Sequence, residues 1–390
     1  MTVHIVGAGL AGLSCALAAA DSGHSVVLHE SARQAGGRCR SWTEPTLGQE
    51  IDNGTHMVVG ANEAVFSFLR RIGAADSLRP GPNAFPMFDL RSGKIWTASP
   101  SRLIGSVVAA HWRLPRRIDG TIGAALGRSR NYRRFWDPLA LAIMNTPADQ
   151  ASALVFRRVL QRTLWRGSRA SQPFLAKGGL SASFVAPALA ELQRLGVEIR
   201  LNHPLRALRQ RDGAVSEADF DGETISFSDA DRLVLAVPWM VARGLLPDLP
   251  ELPASPIING HFRLAGAPPA LPGGLLGLLG GTGQWLFVKD DVVSVTISAA
   301  AAQIDLDGEE LAATLWRDVA RALALPGQPA AARIIKEKRA TLFHTPEIEA
   351  KRPQPRLARN LLLAGDWTAT GLPCTLEGAL HSGRVAASIL

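Results

Sequence analysis

Hydrophobic and polar positions change period along the chain, and the changes mark its elements. An apolar run from Thr2 to Val6 enters a glycine-rich turn, Gly7-Ala8-Gly9-Leu10-Ala11-Gly12. An alanine-rich helical stretch follows over 11–22, then a second apolar run over 25–28 that ends at Glu30. Val65, Phe66, Phe68, Leu69 and Ile72 fall on one face of a helix spanning 62–73. Proline and glycine punctuate 80–93, after which 101–110, 118–126, 131–143 and 148–166 read as four helices. A helix at 181–195 and strands at 197–201, 205–210 and 233–238 come next. The period then shifts to two, with strands at 257–264, 285–288 and 292–297, a helix at 306–323 and a strand at 332–342. The stretch 272–283 is crowded with glycine and leucine and reads as either a flexible apolar lip or a strand pair. An apolar strand at 360–364 and a last helix over 375–390 close the chain. No internal repeat or low-complexity linker interrupts it.

Strand, glycine turn, helix, strand and acid is the order of a dinucleotide-binding βαβ unit. Gly7 permits the tight turn, Gly9 lets backbone approach a pyrophosphate, and Gly12 lets helix lie close on strand. The helix N-terminus, at Leu10 and Ala11, offers unpaired N–H groups to the phosphates. Glu30, followed by Ser31, falls where an acid takes the hydroxyls of the adenosine ribose. Gly36-Gly37-Arg38 then follows the second strand. That extended pattern resembles the fingerprint of the flavin-containing amine oxidase and phytoene desaturase superfamily, which implies FAD rather than NAD.

The resemblance implies an α/β fold of two interleaved domains. A Rossmann-like FAD-binding domain of the glutathione-reductase/amine-oxidase type takes 1–60, 175–240 and 345–390. A substrate domain of helices plus an antiparallel-rich sheet takes 61–174 and 241–344. It also implies that Asn53, Gly54, Thr55 and His56 lie near the isoalloxazine ring, that Leu205 meets adenine through its backbone, and that Pro238 returns the chain to the substrate domain. At the C-terminal end Gly365-Asp366 closes a strand beside the helix opened by Thr375, Leu376, Glu377 and Ala379. A carboxylate there suits the ribityl or pyrophosphate side of FAD, and the helix dipole suits the N1–C2=O end of the ring.

Composition narrows the partners. The 390 residues are 47% hydrophobic and 19% charged, with a formal net charge of +8. That balance favours anionic partners, phosphorylated ligands or acidic lipid among them. With no lysine-rich tail or aromatic RNA-binding signature, nucleic acid is not expected. Cys15, Cys39 and Cys374 have neither metal-like nor disulfide-framework spacing, so no metal is expected and a reducing cytoplasm fits. The first strand starts at Thr2, leaving no room for a signal peptide, and no run of about twenty apolar residues suggests a spanning helix. Basic amphipathic stretches at 103–117 and 155–166 suit either core packing or peripheral contact with the inner face of an anionic membrane.

The segment from Ala364 to Ala379, with Ser382-Gly383, resembles the C-terminal signature of the squalene-associated FAD-dependent desaturase, or hydroxysqualene dehydroxylase, family. Asn145-Thr146-Pro147 and Gly371-Leu372-Pro373 are the elements that separate this branch, and substrate identity is expected in them. The resemblance implies noncovalent FAD and reductive loss of the hydroxyl of a C30 isoprenoid such as hydroxysqualene, in squalene and hopanoid formation. Thr375 stands where amine oxidases place a cage tyrosine, and Tyr132 is the one tyrosine of the chain. The acid that protonates the departing hydroxide is expected at His56 first, Glu377 second and His381 third. A carotenoid-type desaturase, an FAD amine oxidase and a noncatalytic FAD-containing isoprenoid-binding protein remain the alternatives. No motif names the donor that reduces the flavin.

Overall fold

The computed structural model describes residues 1–390, apart from the side chain of Pro100. Five parallel strands form the first sheet, in the order Glu198–Arg200, Ser25–His29, Thr2–Val6, Arg232–Leu235, Leu361–Leu363. Parallel strands must be covered on both faces, and the continuous apolar runs read from sequence reflect that. Ile5, Leu28, Val234 and Leu362 pack under the helix Leu10–Asp21, with Phe184 and Leu380 beside them. Val6, Leu233, Leu235 and Leu363 face the other way, onto Val215, Phe220 and Trp239. That second cover is a three-stranded antiparallel sheet, Leu205–Arg211, Ala214–Phe220 and Glu223–Ser226.

The second large sheet has seven strands, in the order Ala331–Leu342, Ala254–Arg263, Val292–Ile297, Trp285–Lys289, Leu275–Leu279, Phe85–Asp89, Lys94–Ala98. Ile258 and Phe262 point to the helix Gly308–Leu323 and meet Leu311, Leu315 and Trp316. Asn259 and Arg263 point the other way: Arg263 donates to the carbonyl of Leu47 at 2.8 Å, and Asn259 lies against Gly54. This face therefore rests on the hairpin Ser41–Glu44/Gln49–Asp52, which leads straight into the segment around His56.

The glycine–leucine stretch is not a lip. Leu275–Leu279 is a buried strand between Trp285–Lys289 and Phe85–Asp89, and Leu275, Leu276 and Leu278 are core. The helix expected from 148 starts only at Ala153, where the Ser152 hydroxyl accepts from the Val155 N–H. Before it, Ala148 and Ala151 carbonyls accept from Gly123 and Ile122, which holds that stretch non-helical. Likewise the helix expected from 118 starts at Ile122, capped by Thr121. Side-chain caps decided both boundaries.

At the end of the second strand His29 is fully buried, its ring nitrogens 3.1 Å from His4 and 3.0 Å from His203. Phe220 stacks on it at 4.4 Å. Burial, then the neighbouring His4 and His203, push His29 from 6.5 down to about 3, so it stays neutral in the folded chain. Unfolded, the same ring takes a proton near 6.5. Below that pH the unfolded chain binds more protons, and stability falls by roughly 1.4 kcal/mol per pH unit until the folded ring titrates. Urea midpoints of the apoprotein are therefore expected to drop from pH 7 to pH 5, and His29→Phe is expected to flatten that slope.

Candidate flavin site

The turn after the first strand is shaped by what its glycines avoid. Gly7 has φ +105°, and a Cβ there would lie 2.6 Å from the Ala236 carbonyl oxygen. A Cβ at Gly12 would strike the Gly7 carbonyl. Gly9 is different, since a side chain there would meet nothing within 4 Å. Its space is bordered by the second glycine pair: Gly36 donates to the Ala8 carbonyl at 2.8 Å, and Gly9 and Gly36 form a parallel bridge. A Cβ on Gly37 would lie 3.5 Å from the Gly9 Cα. Three backbone segments thus border a cradle that side chains would fill. The helix Leu10–Asp21 opens onto it with no side-chain cap and no acid in its first turn. Such an end suits a pyrophosphate.

Glu30 is buried and held at both oxygens. Oε2 accepts from the Ala8 N–H at 2.8 Å, and Oε1 from the Ala32 N–H at 2.9 Å and the Ser31 hydroxyl at 3.2 Å. His203 N–H donates to the Glu30 carbonyl at 2.8 Å and Asn202 N–H to that of Ala32 at 3.1 Å. These bonds bring the segment leading to Leu205 beside the acid. The two halves of the sequence meet again at Arg38, which donates to Asp366 at 2.7 Å and to the Ala340 carbonyl at 2.5 Å. Gly365 N–H is fixed on Ser382, and Trp367 donates to the Val237 carbonyl, next to Pro238, at 2.9 Å.

Thr375 caps the final helix, Leu376–Ala387, by accepting from Gly378 N–H at 3.1 Å. Leu376 and Ala379 lie in its first turn. The helix presses on Leu10–Asp21: a Cβ at Gly383 would strike the Ala11 carbonyl, and Ser14 donates to the Leu380 carbonyl at 2.9 Å. Both N-termini belong to one packed pair.

Asn53 donates to the Arg38 carbonyl at 3.3 Å, tying the segment that leads to His56 to the glycine–arginine turn. Thr55 and His56 open onto a cleft lined also by Asp52, Phe287 and Ser294. His56 makes no hydrogen bond within the protein among the described residues. Burial lowers its pKa, with Asp52 opposing and Arg38 assisting. Glu377 sits elsewhere in function: its two oxygens accept from Ala64 and Val65 N–H at 3.1 Å each and close the N-terminus of Glu63–Arg71. Burial raises its pKa against those two bonds. His381 is half-buried beside Arg162 and Arg384, which add to burial in lowering it.

Asn145 and Thr146, where substrate identity is expected, make structural bonds, and a second cluster lies beyond them that the sequence does not single out. Asn145, left-handed at φ 46°, donates to Thr341 at 2.9 Å and the Ser255 carbonyl at 3.1 Å, while its own oxygen accepts from Ala299 N–H. Thr146 accepts from His344 N–H at 2.9 Å. Asn145 and Thr146 therefore clasp the helical insertion to the sheet and are buried, rather than lining a ligand surface. Beyond them His344 Nδ1 meets Glu349 at 2.5 Å, and its Nε2 accepts from Cys374 N–H at 3.0 Å. Arg352 completes the cluster, donating to Glu349 at 2.9 Å and to the carbonyls of Leu372 and Asp366 at 2.7 and 2.5 Å. Cys15, Cys39 and Cys374 are free and buried, and no acid–histidine–cysteine group suited to a metal occurs among the described residues.

An open glycine cradle, an anchored acid and paired helix ends suit a dinucleotide cofactor, and the family matches give its class, a flavin-containing amine oxidoreductase. The family model for flavin containing amine oxidoreductase matches residues 124–390, and that for the NAD(P)-binding Rossmann-like domain matches 5–72. The fold is that of putrescine oxidase, at TM-score 0.75 and 18% identity over 100% of this chain and 99% of that one. Cyclohexylamine oxidase from Brevibacterium oxydans is as close, at TM-score 0.75 and 17% identity, covering 100% and 98%. The protein is an FAD-dependent oxidoreductase, and the residues of the cradle fit that cofactor. Within the class the chain belongs to the hydroxysqualene dehydroxylase family. It is 37% identical to the Sinorhizobium fredii hydroxysqualene dehydroxylase over 99% of this chain and 97% of the relative. The Rhodopseudomonas palustris hydroxysqualene dehydroxylase is also 37% identical, covering 100% and 98%. A 15-cis-phytoene desaturase of Synechococcus elongatus is more distant, 22% identical over 100% and 96%.

Proposed function

We propose that the protein reductively dehydroxylates hydroxysqualene, or a close C30 isoprenoid alcohol, to squalene. The full-length kinship to dehydroxylases carries the reading, and the position of Thr375 supports it. Thr375 caps a helix there, and Tyr132 packs against the core of the helical insertion, so neither supplies the cage tyrosine of an amine oxidase. In this reading 1–60, 175–240 and 345–390 hold FAD, while 61–174 and 241–344 hold the isoprenoid. The protein works in the cytoplasm, in peripheral contact with the inner face of the membrane.

Reduced FAD, when bound, supplies the hydride that replaces the carbon–oxygen bond, so that the products are squalene, water and oxidised flavin. Gly9, Gly36 and Gly37 would hold the pyrophosphate by backbone contact, and Glu30 would take the ribose hydroxyls. Arg38 and Asp366 lock the two cofactor-binding ends of the chain together. The N-terminus of Leu376–Ala387 turns its positive end to the site. His56 gives its proton to the departing hydroxide.

An acid must be protonated to act, and burial has lowered His56. Single-turnover rates are therefore expected to fall as pH rises past a point below the ordinary histidine value of 6.5. His56→Ala is expected to lose that limb and on the order of 10²–10³-fold in rate. Glu377→Gln should keep the limb, because its side chain serves a helix end. A rate and limb unchanged in His56→Ala would remove this assignment. The reaction itself is tested by mixing anaerobically reduced enzyme with hydroxysqualene. Reoxidation of the flavin with appearance of squalene is expected; bleaching of oxidised flavin by the isoprenoid would instead mean a desaturase.

A further inference from the structure

The helix Pro100–Arg113 has two apolar stripes. Leu103, Val107, Ala110 and Leu114 face inward, against the core that contains Phe135, Trp136 and Trp285. Ile104, Val108 and Trp112, spaced four apart, face outward and are 66%, 52% and 77% exposed. Ile95, 67% exposed, and Ile118, 41%, add to this outward apolar set from the preceding strand and the following loop. One inward stripe is what a core helix needs. A second, outward one carrying a tryptophan has no role in folding, and large exposed apolar patches mark contact surfaces.

The surrounding charge selects the partner. Between residues 91 and 136 the chain has ten Lys and Arg and one acid, Asp119. Arg102, Arg113, Arg116, Arg117, Arg133 and Arg134 are exposed, and among the described residues none of them makes an ion pair. Elsewhere the exposed arginines 206, 209 and 359 are each paired with acids. Unpaired cations beside an apolar, tryptophan-bearing helix face match an anionic bilayer surface, where side chains enter the acyl boundary and arginines meet phosphates. No helix among the described residues is long and apolar enough to cross a membrane, so the contact lies in the plane of one leaflet.

We infer that Ile104, Val108 and Trp112, flanked by Ile95, Ile118 and the arginines of 102–134, form the surface by which the protein docks on anionic lipid. The inference rests on the isoprenoid reading for its purpose but not for its evidence. A C30 alcohol resides in the bilayer, and this helix lies directly over the apolar core of the substrate half.

Full-length holoprotein is incubated with vesicles of phosphatidylcholine alone or with 30% phosphatidylglycerol (roughly, to represent an anionic leaflet) and sedimented. Binding to the anionic vesicles is expected, weakening with salt. The triple variant I104S/V108S/W112S is expected to lose at least tenfold in vesicle affinity. R113E/R116E/R117E should lose the preference for anionic over zwitterionic lipid. Both variants should retain wild-type flavin content and wild-type turnover of detergent-dispersed substrate, since the altered side chains are exposed. Equal sedimentation of wild type and triple variant, or binding indifferent to lipid charge, overturns the inference. So does a shift from dimer to monomer in the triple variant without loss of vesicle binding, which would assign the stripe to a second copy of the chain. Vesicle binding needs no turnover, so failure of the dehydroxylation reading would leave this result standing.

Discussion

Gly9→Val is expected to yield a folded but colourless protein, with FAD affinity lower by at least about 10²-fold, a difference of about 2.7 kcal/mol. Gly9 has φ −74° and ψ 178°, which an L side chain adopts freely, and no atom lies within 4 Å of the added Cβ. The new isopropyl group therefore costs the apoprotein little. It fills the space where backbone must approach the pyrophosphate. Gly12→Ala makes the opposite case, since its Cβ would collide with the Gly7 carbonyl inside the βα turn. That variant should lose flavin and stability together. Flavin absorbance of the purified proteins and urea midpoints of their apo forms separate the two. A yellow Gly9→Val would mean that the cofactor does not lie in this cradle.

Arg352→Met is expected to lower stability by roughly 3–5 kcal/mol, the cost of leaving a buried charge without its partner. Glu349 is buried between His344 and Arg352, and removing the guanidinium strands its carboxylate. The same change frees the carbonyls of Asp366 and Leu372, so the loop between them loses its fixed path. Flavin affinity should fall with stability, and denaturation followed separately by tryptophan and flavin fluorescence would show flavin leaving first. Glu349→Gln, which keeps the shape and removes the charge, should be milder in the loop and still destabilising. An Arg352→Met protein as stable as wild type would contradict the buried ion cluster.

The cofactor half of this architecture was readable because its chemistry is local. Gly7, Gly9, Gly12 and Glu30 lie within one βαβ unit, where their spacing alone marks the turn, although the atom that Gly7 avoids belongs to Ala236, far along the chain. The alternation at 292–297 gave a strand with the observed bounds for the same reason. Helix starts at Ile122 and Ala153 were misplaced because hydrophobic period is indifferent to the hydroxyls of Thr121 and Ser152 that set them. Leu275–Leu279 stayed open between lip and strand because a strand buried on both faces has no alternation to read, and Phe85–Asp89 escaped because proline and glycine surround it. Asn145 and Thr146 mislead in a different way. The resemblance marks them as distinguishing a branch, yet their bonds run to Ser255, Thr341 and His344, partners far along the chain, and they tie the helical insertion to the seven-stranded sheet. Glu349 and Arg352 were spaced as a helical ion pair behind the cap of Thr345, but nothing in the spacing disclosed that they are buried.

The bond from Ser14 to the Leu380 carbonyl joins residues 366 positions apart, and Gly383 packs on Ala11 at the same seam. During synthesis the glycine turn emerges well before Leu376–Ala387, so its helix lacks that one partner until the last helix has been made. A cradle backed by both helices is therefore complete only after the last helix has emerged. Until then the first helix exposes the alanine and glycine face meant for the last one, and closure of so long a loop sets the pace of maturation.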